Sequence, residues 1–462
     1  MNVRKAIIEP TGRKPARFLH VSFNQDDSCF SAATESGFLI YNTDPLACKL
    51  VKQFHEDVRA GKSEVGVGIG YTRMLYRTNY TALVGGGKRP RYPLNKLIIW
   101  DDLQQRECVI LKFMSPIRHV FLSRMHIIVV LENSIEVFQF QPTPKRICPS
   151  LDISQNGPVD FVVSQTKMRR ESQNNGNSNP ETILNNNNNG NAGTQVGNIN
   201  GILAFPSARS VGQVHIADLT RLKYNDQNPD GTQLLPTSII KAHKTQIRML
   251  KLNHQGTMVA TCSIQGTLIR IFSTHNGSLI KELRRGLDRA DIYEMSFSPK
   301  GSKLAVVSDK QTLHIFQITS GKDNHGSHGG SNEERPQNKH HALKNIVPSG
   351  WKPKYLDSVW SMCSIHLKNP MLRNSDMDTH FQKDRCRIGW CRDNNSENGN
   401  DLEDEDSIVL VWRQTGVWEK YVILEKEQDS QKVYSAQETL RNESTNNRGT
   451  QWELTRESWR EL

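Results

Sequence analysis

The chain has 462 residues and carries 59 lysines and arginines against 48 aspartates and glutamates, a formal charge of +11. That length can build a sizeable core, and the charge favours an anionic partner, either nucleic acid or an anionic membrane surface. A membrane-spanning helix is not expected, because no run approaches the ~18 apolar residues it needs, and neither is a signal peptide at Met1 to Pro10 nor a zinc site at Cys386 and Cys391.

In chain order the sequence is a succession of short apolar runs. Seven of them, at 38–41, 97–100, 135–138, 214–216, 268–272, 313–316 and 408–412, read as the third strand of a propeller blade. Turn signals such as Asn42-Thr43-Asp44-Pro45 and Asn276-Gly277 follow several of them. The step from Thr267 to Thr312 fits the ~40–45 residues of an uninterrupted blade. The expected fold is therefore all-β, a seven-bladed β-propeller over residues 14–425. Closure of the ring would leave no long exposed edges. Gly85-Gly86-Gly87-Lys88-Arg89 is like a phosphate-cradling loop only superficially; it lacks the Gly-Lys-Ser/Thr ending and a following helix pattern, so it reads as a turn.

Longer insertions interrupt the pattern. Residues 170–200, in blade four, are Asn-rich and too polar to order themselves. The blade-six loop 319–357 combines Ile346, Val347, Trp351 and Tyr355 with Lys344, Lys352 and Lys354. Apolar bulk next to lysines suits the interface of an anionic bilayer, so these four side chains are expected to insert in a membrane. Residues 394–406 form an acidic loop in blade seven, and 426–462 read as a polar C-terminal tail.

The densest signal is Leu283-Arg284-Arg285-Gly286. In an extended segment successive side chains point to opposite faces, so Arg284 and Arg285 suit two neighbouring pockets. Arginine's planar fork grips phosphate through two parallel hydrogen bonds. An internal repeat flanks the pair: Ser263, three residues and Thr267-Leu268 before it, and Ser308, three residues and Thr312-Leu313 after it. Arg270 and His314 stand out of register by one residue and should face opposite ways. His243 lies just upstream of the first copy.

These residues resemble the PROPPIN family, β-propellers that bind polyphosphoinositides in autophagy. The family's motif is Phe or Leu before Arg-Arg-Gly. The longer run from Leu252 to Ile318, together with Val21-Ser22-Phe23-Asn24-Gln25-Asp26, Leu83-Val84-Gly85-Gly86-Gly87 and Ile239-Ile240-Lys241-Ala242-His243-Lys244, is similar to the family too. Leu283 stands where the family more often has Phe. The resemblance is closest to the smaller yeast homologues. It implies binding of phosphatidylinositol 3-phosphate and 3,5-bisphosphate. Site one would use His243, Ser263, Thr267, Arg270 and Arg284. Site two would use Arg285, Ser308, Thr312 and His314. Partners would be phosphoinositide membranes and autophagy-machinery proteins, on vacuole, endosome and pre-autophagosomal membranes, with roles in selective autophagy including nucleophagy. No cofactor, metal or nucleic acid is implied, and no catalytic constellation is legible.

Other readings of the same residues stay open. Ser263 and Thr267 could serve a turn, and Arg284-Arg285 could be a solvated pair. A protein-only scaffold would keep its partners without either arginine. An RNA-binding propeller would need aromatic residues interleaved with its basic clusters, which are missing. If His243 and His314 donate to phosphate, protonation between pH ~7.5 and ~6 should tighten binding.

Overall fold

A computed structural model describes residues 18–55, 67–165, 199–219, 235, 237–319, 359–368, 384–391, 405–425 and 452–462. They form seven sheets, antiparallel but for one short added strand, arranged as the blades of a propeller. Blade one comprises His20–Phe23, Cys29–Thr34, Gly37–Asn42 and Ala47–Gln53, and blade two Ile69–Met74, Tyr80–Gly85, Lys96–Asp101 and Arg106–Lys112. Blade three comprises His119–Leu122, His126–Val130, Ser134–Gln139 and Leu151–Asp152, and blade four Asp160–Gln165, Ile199–Pro206, Gln213–Asp218 and Thr237–Lys241. Blade five comprises Ile247–Leu252, Met258–Ser263, Leu268–Ser273 and Leu279–Arg284, and blade six Ile292–Phe297, Lys303–Ser308, Thr312–Gln317 and Cys363–His366. Blade seven comprises Cys386–Cys391, Ser407–Trp412, Val417–Glu425 and Trp452–Glu461.

Each blade has two neighbouring blades, one on each face of its sheet, so both faces must be apolar near the middle. The buried side chains accordingly sort into seven clusters, one at each blade junction. Ile269, Ile271 and Leu283 of blade five meet Leu304, Val306 and Phe316 of blade six. Val259 and Phe272, from the other face of blade five, meet Val214 and Ile240 of blade four. Blades one and seven close the ring in the same way: Phe18, Val21 and Phe23 pack on Val409, Val411 and Trp418. The backbone N–H of Trp390 also donates to the Asp27 carboxylate at 3.1 Å. Burial pushes the Asp27 carboxyl up from its ordinary value.

Two sequence readings of blade seven are corrected. The run at 408–412 is the second strand of its blade, not the third. The stretch read as a polar tail from 426 supplies the outer strand, Trp452–Glu461, paired along Val417–Glu425. An outer strand keeps one solvated face, so it carries alternating charges that mask its β pattern. The Asn-rich insertion 170–200 lies outside the described residues up to 198, and its last two residues, Ile199 and Asn200, begin a strand of blade four. Almost all of the acidic loop 394–406 also lies outside, but Glu405 and Asp406 are described, and Asp406 pairs with Lys303.

Candidate anion-binding pockets

Strand register decides where each arginine goes. Leu283 is fully buried in the cluster between blades five and six, so Arg284 projects from the opposite face, toward blade four. Arg270 pairs across the sheet with Thr261 on one side and Glu282 on the other, and Leu268 pairs with Arg284. Arg270, Glu282, Arg284 and Thr261 therefore share the face that looks toward blade four. In blade six the neighbours of His314, Leu313 and Ile315, pack toward blade seven. His314 thus faces blade five. The expected opposition of Arg270 and His314 is not found: each faces the preceding blade, because the hairpin from Cys262 to Ile269 is one residue longer than that from Val307 to Leu313 and absorbs the offset.

At the junction of blades four and five, Arg270 is held in place before any ligand arrives. Its Nε donates to Glu282 Oε2 at 2.9 Å and its Nη1 to the Ala242 carbonyl at 2.7 Å. Its other three N–H donors have no hydrogen-bond partner among the described residues. His243 Nε2 lies 3.0 Å from Thr261 Oγ1. Burial, followed by the nearby Arg270 charge, lowers the His243 pKa to about 4. The Nε of Arg284 is buried and has no hydrogen-bond partner among the described residues. Buried donors of this kind are rare in native proteins and need an account. Thr261 and Glu282 escaped the sequence reading. Neither has a motif, and both are recognisable only once the register places them beside His243 and Arg270.

At the junction of blades five and six, Arg285 is 8% exposed. Its Nε donates to the Gly266 carbonyl at 3.0 Å and its Nη2 to the Asp288 carbonyl. Gly266 sits at φ +63°, and a Cβ there would fall 1.8 Å from the Ala290 carbonyl oxygen, so only glycine fits. Gly286, by contrast, is bordered by open space. His314 Nδ1 lies 3.3 Å from Ser361 Oγ. Its pKa is lowered to about 4 by burial and then by the Arg285 charge. Both histidines are therefore neutral in the unliganded pockets from pH ~7.5 to ~6, so a proton taken up on binding would have to be drawn in by the phosphate charge itself.

The hydroxyls play mixed parts. Ser263 and Ser308 are buried, and each Oγ accepts a backbone N–H of its own turn, from Gln265 at 3.4 Å and Lys310 at 3.4 Å. Their turn role is thus present in the structure. Thr267 and Thr312 are half-buried; Thr312 Oγ1 donates to the Lys310 carbonyl at 3.3 Å.

Past the blade-six insertion, Val359–Trp360 forms a short strand away from its own blade. Val359–Trp360 adds to the outer edge of blade five, parallel to its last strand, with Val359 opposite Leu283 and Trp360 opposite Arg284. The chain continues through Ser361 beside His314 into the outer strand of blade six. The end of the long blade-six insertion thus runs between the two arginine pockets. Ile346, Val347, Trp351 and Tyr355 lie outside the described residues.

Comparison with known proteins places this geometry in context. A PROPPIN family model matches residues 181–331. SVP1-like protein 2 of Saccharomyces cerevisiae is 59% identical over the whole of both chains, and its namesake in Candida glabrata is 50% identical, again over the whole of both. The crystal structure of Kluyveromyces marxianus Hsv2 superposes with a TM-score of 0.60 at 26% identity, covering 96% of this chain and 98% of that one.

Proposed function

The chain belongs to the PROPPIN family of β-propellers, and on that footing we propose that it is a peripheral membrane effector binding phosphatidylinositol 3-phosphate and 3,5-bisphosphate through two pockets. Pocket one is built from His243, Ser263, Thr267, Arg270 and Arg284, and pocket two from Arg285, Ser308, Thr312 and His314. The family is one of phosphoinositide-binding proteins that act in autophagy, and that membership supports the choice of lipid. The observation that carries the residue assignment is the buried Nε of Arg284, without a partner among the described residues, beside the pre-oriented Arg270. A phosphate oxygen entering there would satisfy a donor that the described residues leave open.

Two modest sites on one rigid ring gain from effective concentration when both face the same bilayer. Insertion of Ile346, Val347, Trp351 and Tyr355 would add apolar burial to headgroup contacts. The setting is selective autophagy and traffic at vacuole, endosome and pre-autophagosomal membranes, with autophagy-machinery proteins as further partners.

The test is liposome cosedimentation with phosphatidylinositol 3-phosphate, 3,5-bisphosphate or neutral lipid, with an RNA control. Wild type should sediment with both phosphoinositides, and Arg284→Ala with Arg285→Ala should weaken this at least roughly tenfold. Equal sedimentation of the double variant would point to a protein scaffold, and RNA binding in preference to lipid would overturn the reading.

A further inference from the structure

The junction of blades one and two repeats the plan of pocket one. In blade five Ile247 pairs with Ser263, and Leu268 with Arg284. In blade two Ile69 pairs with Gly85, and Lys96 with Lys112, at the same steps of the same bulged ladder. Lys112 therefore takes the place of Arg284. In the preceding blade, Phe54 N–H donates to the Ser36 carbonyl as Ala242 N–H donates to that of Gly212. His55 thus takes the place of His243.

The faces agree. Leu97 and Leu111 pack toward blade three, so Lys96 and Lys112 project toward blade one. Lys96 and Lys112 are direct cross-strand neighbours, and like charges in that relation destabilise a sheet. Neither has a carboxylate partner among the described residues. Glu35 accepts the Lys88 N–H at 2.8 Å, and Glu107 accepts the Tyr92 hydroxyl at 2.8 Å.

Arg91 adds a third charge in a fixed position. Its guanidinium lies 4.4 Å from the Phe54 ring centroid, and Lys96 Nζ lies 5.6 Å from that of Tyr92. Phe54 and Tyr92 are both buried in the junction's own cluster, so the rings that carry these cations are rigid. The loop bearing Arg91 is pinned as well: Gly68 N–H donates to the Arg89 carbonyl at 2.7 Å and Arg91 N–H to the Gly68 carbonyl at 3.0 Å. A Cβ on Gly86 would fall 2.4 Å from the Gly70 Cα, so the glycine run exists to let this loop lie on the neighbouring backbone.

We propose that the junction of blades one and two is a third site for a phosphate ester, centred on Lys96 and Lys112 and flanked by Arg91 and His55. A phosphate bridging the two lysines turns a repulsive cross-strand pair into two charge-assisted contacts. Three blade steps separate this junction from each arginine pocket, in opposite directions round the ring. A ring seated on a bilayer through pockets one and two turns the third site away from it. The phosphate then comes from a free inositol phosphate or from a headgroup on a second membrane.

The experiment uses the Arg284→Ala, Arg285→Ala protein, so its result does not depend on whether those pockets bind. Calorimetry with soluble inositol 1,3,5-trisphosphate should show one saturable site. Adding Lys96→Gln and Lys112→Gln should weaken it at least roughly tenfold. The melting midpoint should not fall, because a repulsive pair has been removed. A free inositol phosphate as natural ligand gives binding to the soluble probe alone. A headgroup on a membrane gives binding to 3,5-bisphosphate liposomes as well, lost with the same two lysines. Binding to neither probe, or binding indifferent to Lys96 and Lys112, overturns the proposal.

Discussion

Arg284 and Arg285 are adjacent, yet their removal should affect folding very differently. Arg285 is 8% exposed and donates to the Gly266 and Asp288 carbonyls. A hydrogen bond to a charged group contributes about 1.5–3 kcal/mol. On truncation the Asp288 carbonyl, on an exposed residue, can take water, whereas Gly266 is buried. Relief of the buried guanidinium's desolvation offsets part of the loss, since burial already lowers the Arg285 pKa. The net cost of Arg285→Ala is therefore close to one such bond, about 1.5–3 kcal/mol. Arg284 Nε has no partner to lose among the described residues, so Arg284→Ala should stay within about 0.5 kcal/mol. Urea unfolding of the three soluble proteins measures the difference as a shift in midpoint at constant slope. Equal midpoints, or a lower one for Arg284→Ala, would refute the assignment of Arg285 as the clamp and Arg284 as the open donor.

Stability should also fall on acidification between pH ~6.5 and ~4. His243 and His314 are held near 4 by burial and the neighbouring arginines, so the unfolded chain takes up protons in that window while the native state does not. The midpoint measured across it should show a slope that His243→Gln with His314→Gln reduces. Leu283→Ala should cost about 2–5 kcal/mol, since Leu283 is fully buried between blades five and six; a loss under ~1 kcal/mol in urea would contradict that packing. Ile346→Asp with Trp351→Asp should sharply weaken liposome binding and leave affinity for the soluble headgroup unchanged; sedimentation like wild type would exclude the loop as a membrane anchor.

Much of this was legible because a propeller repeats itself. The Ser–Thr spacing at 263–267 and 308–312 marked the two blades that flank the arginine pair, but the one-residue offset of Arg270 and His314 turned out to reflect hairpin length and not opposite faces. What escaped depends on long-range pairing. Thr261 and Glu282 matter only because register sets them beside His243 and Arg270. Trp360 reaches Arg284 through a parallel pairing across a long insertion, which no local pattern encodes. Trp452–Glu461 was hidden by the charges of an outer strand. The lowered histidine pKa values escaped for a simpler reason: burial depth is not written in a sequence window.

The central claim is that the two arginines serve two separate headgroups. Calorimetric stoichiometry for soluble inositol 1,3,5-trisphosphate, compared between wild type and the Arg284→Ala, Arg285→Ala protein, tests it most directly. The account predicts that the double variant binds two fewer headgroups per chain than wild type, and that each single variant binds one fewer. A difference of one for the double variant would mean a single shared pocket, and no difference would mean that neither arginine holds phosphate.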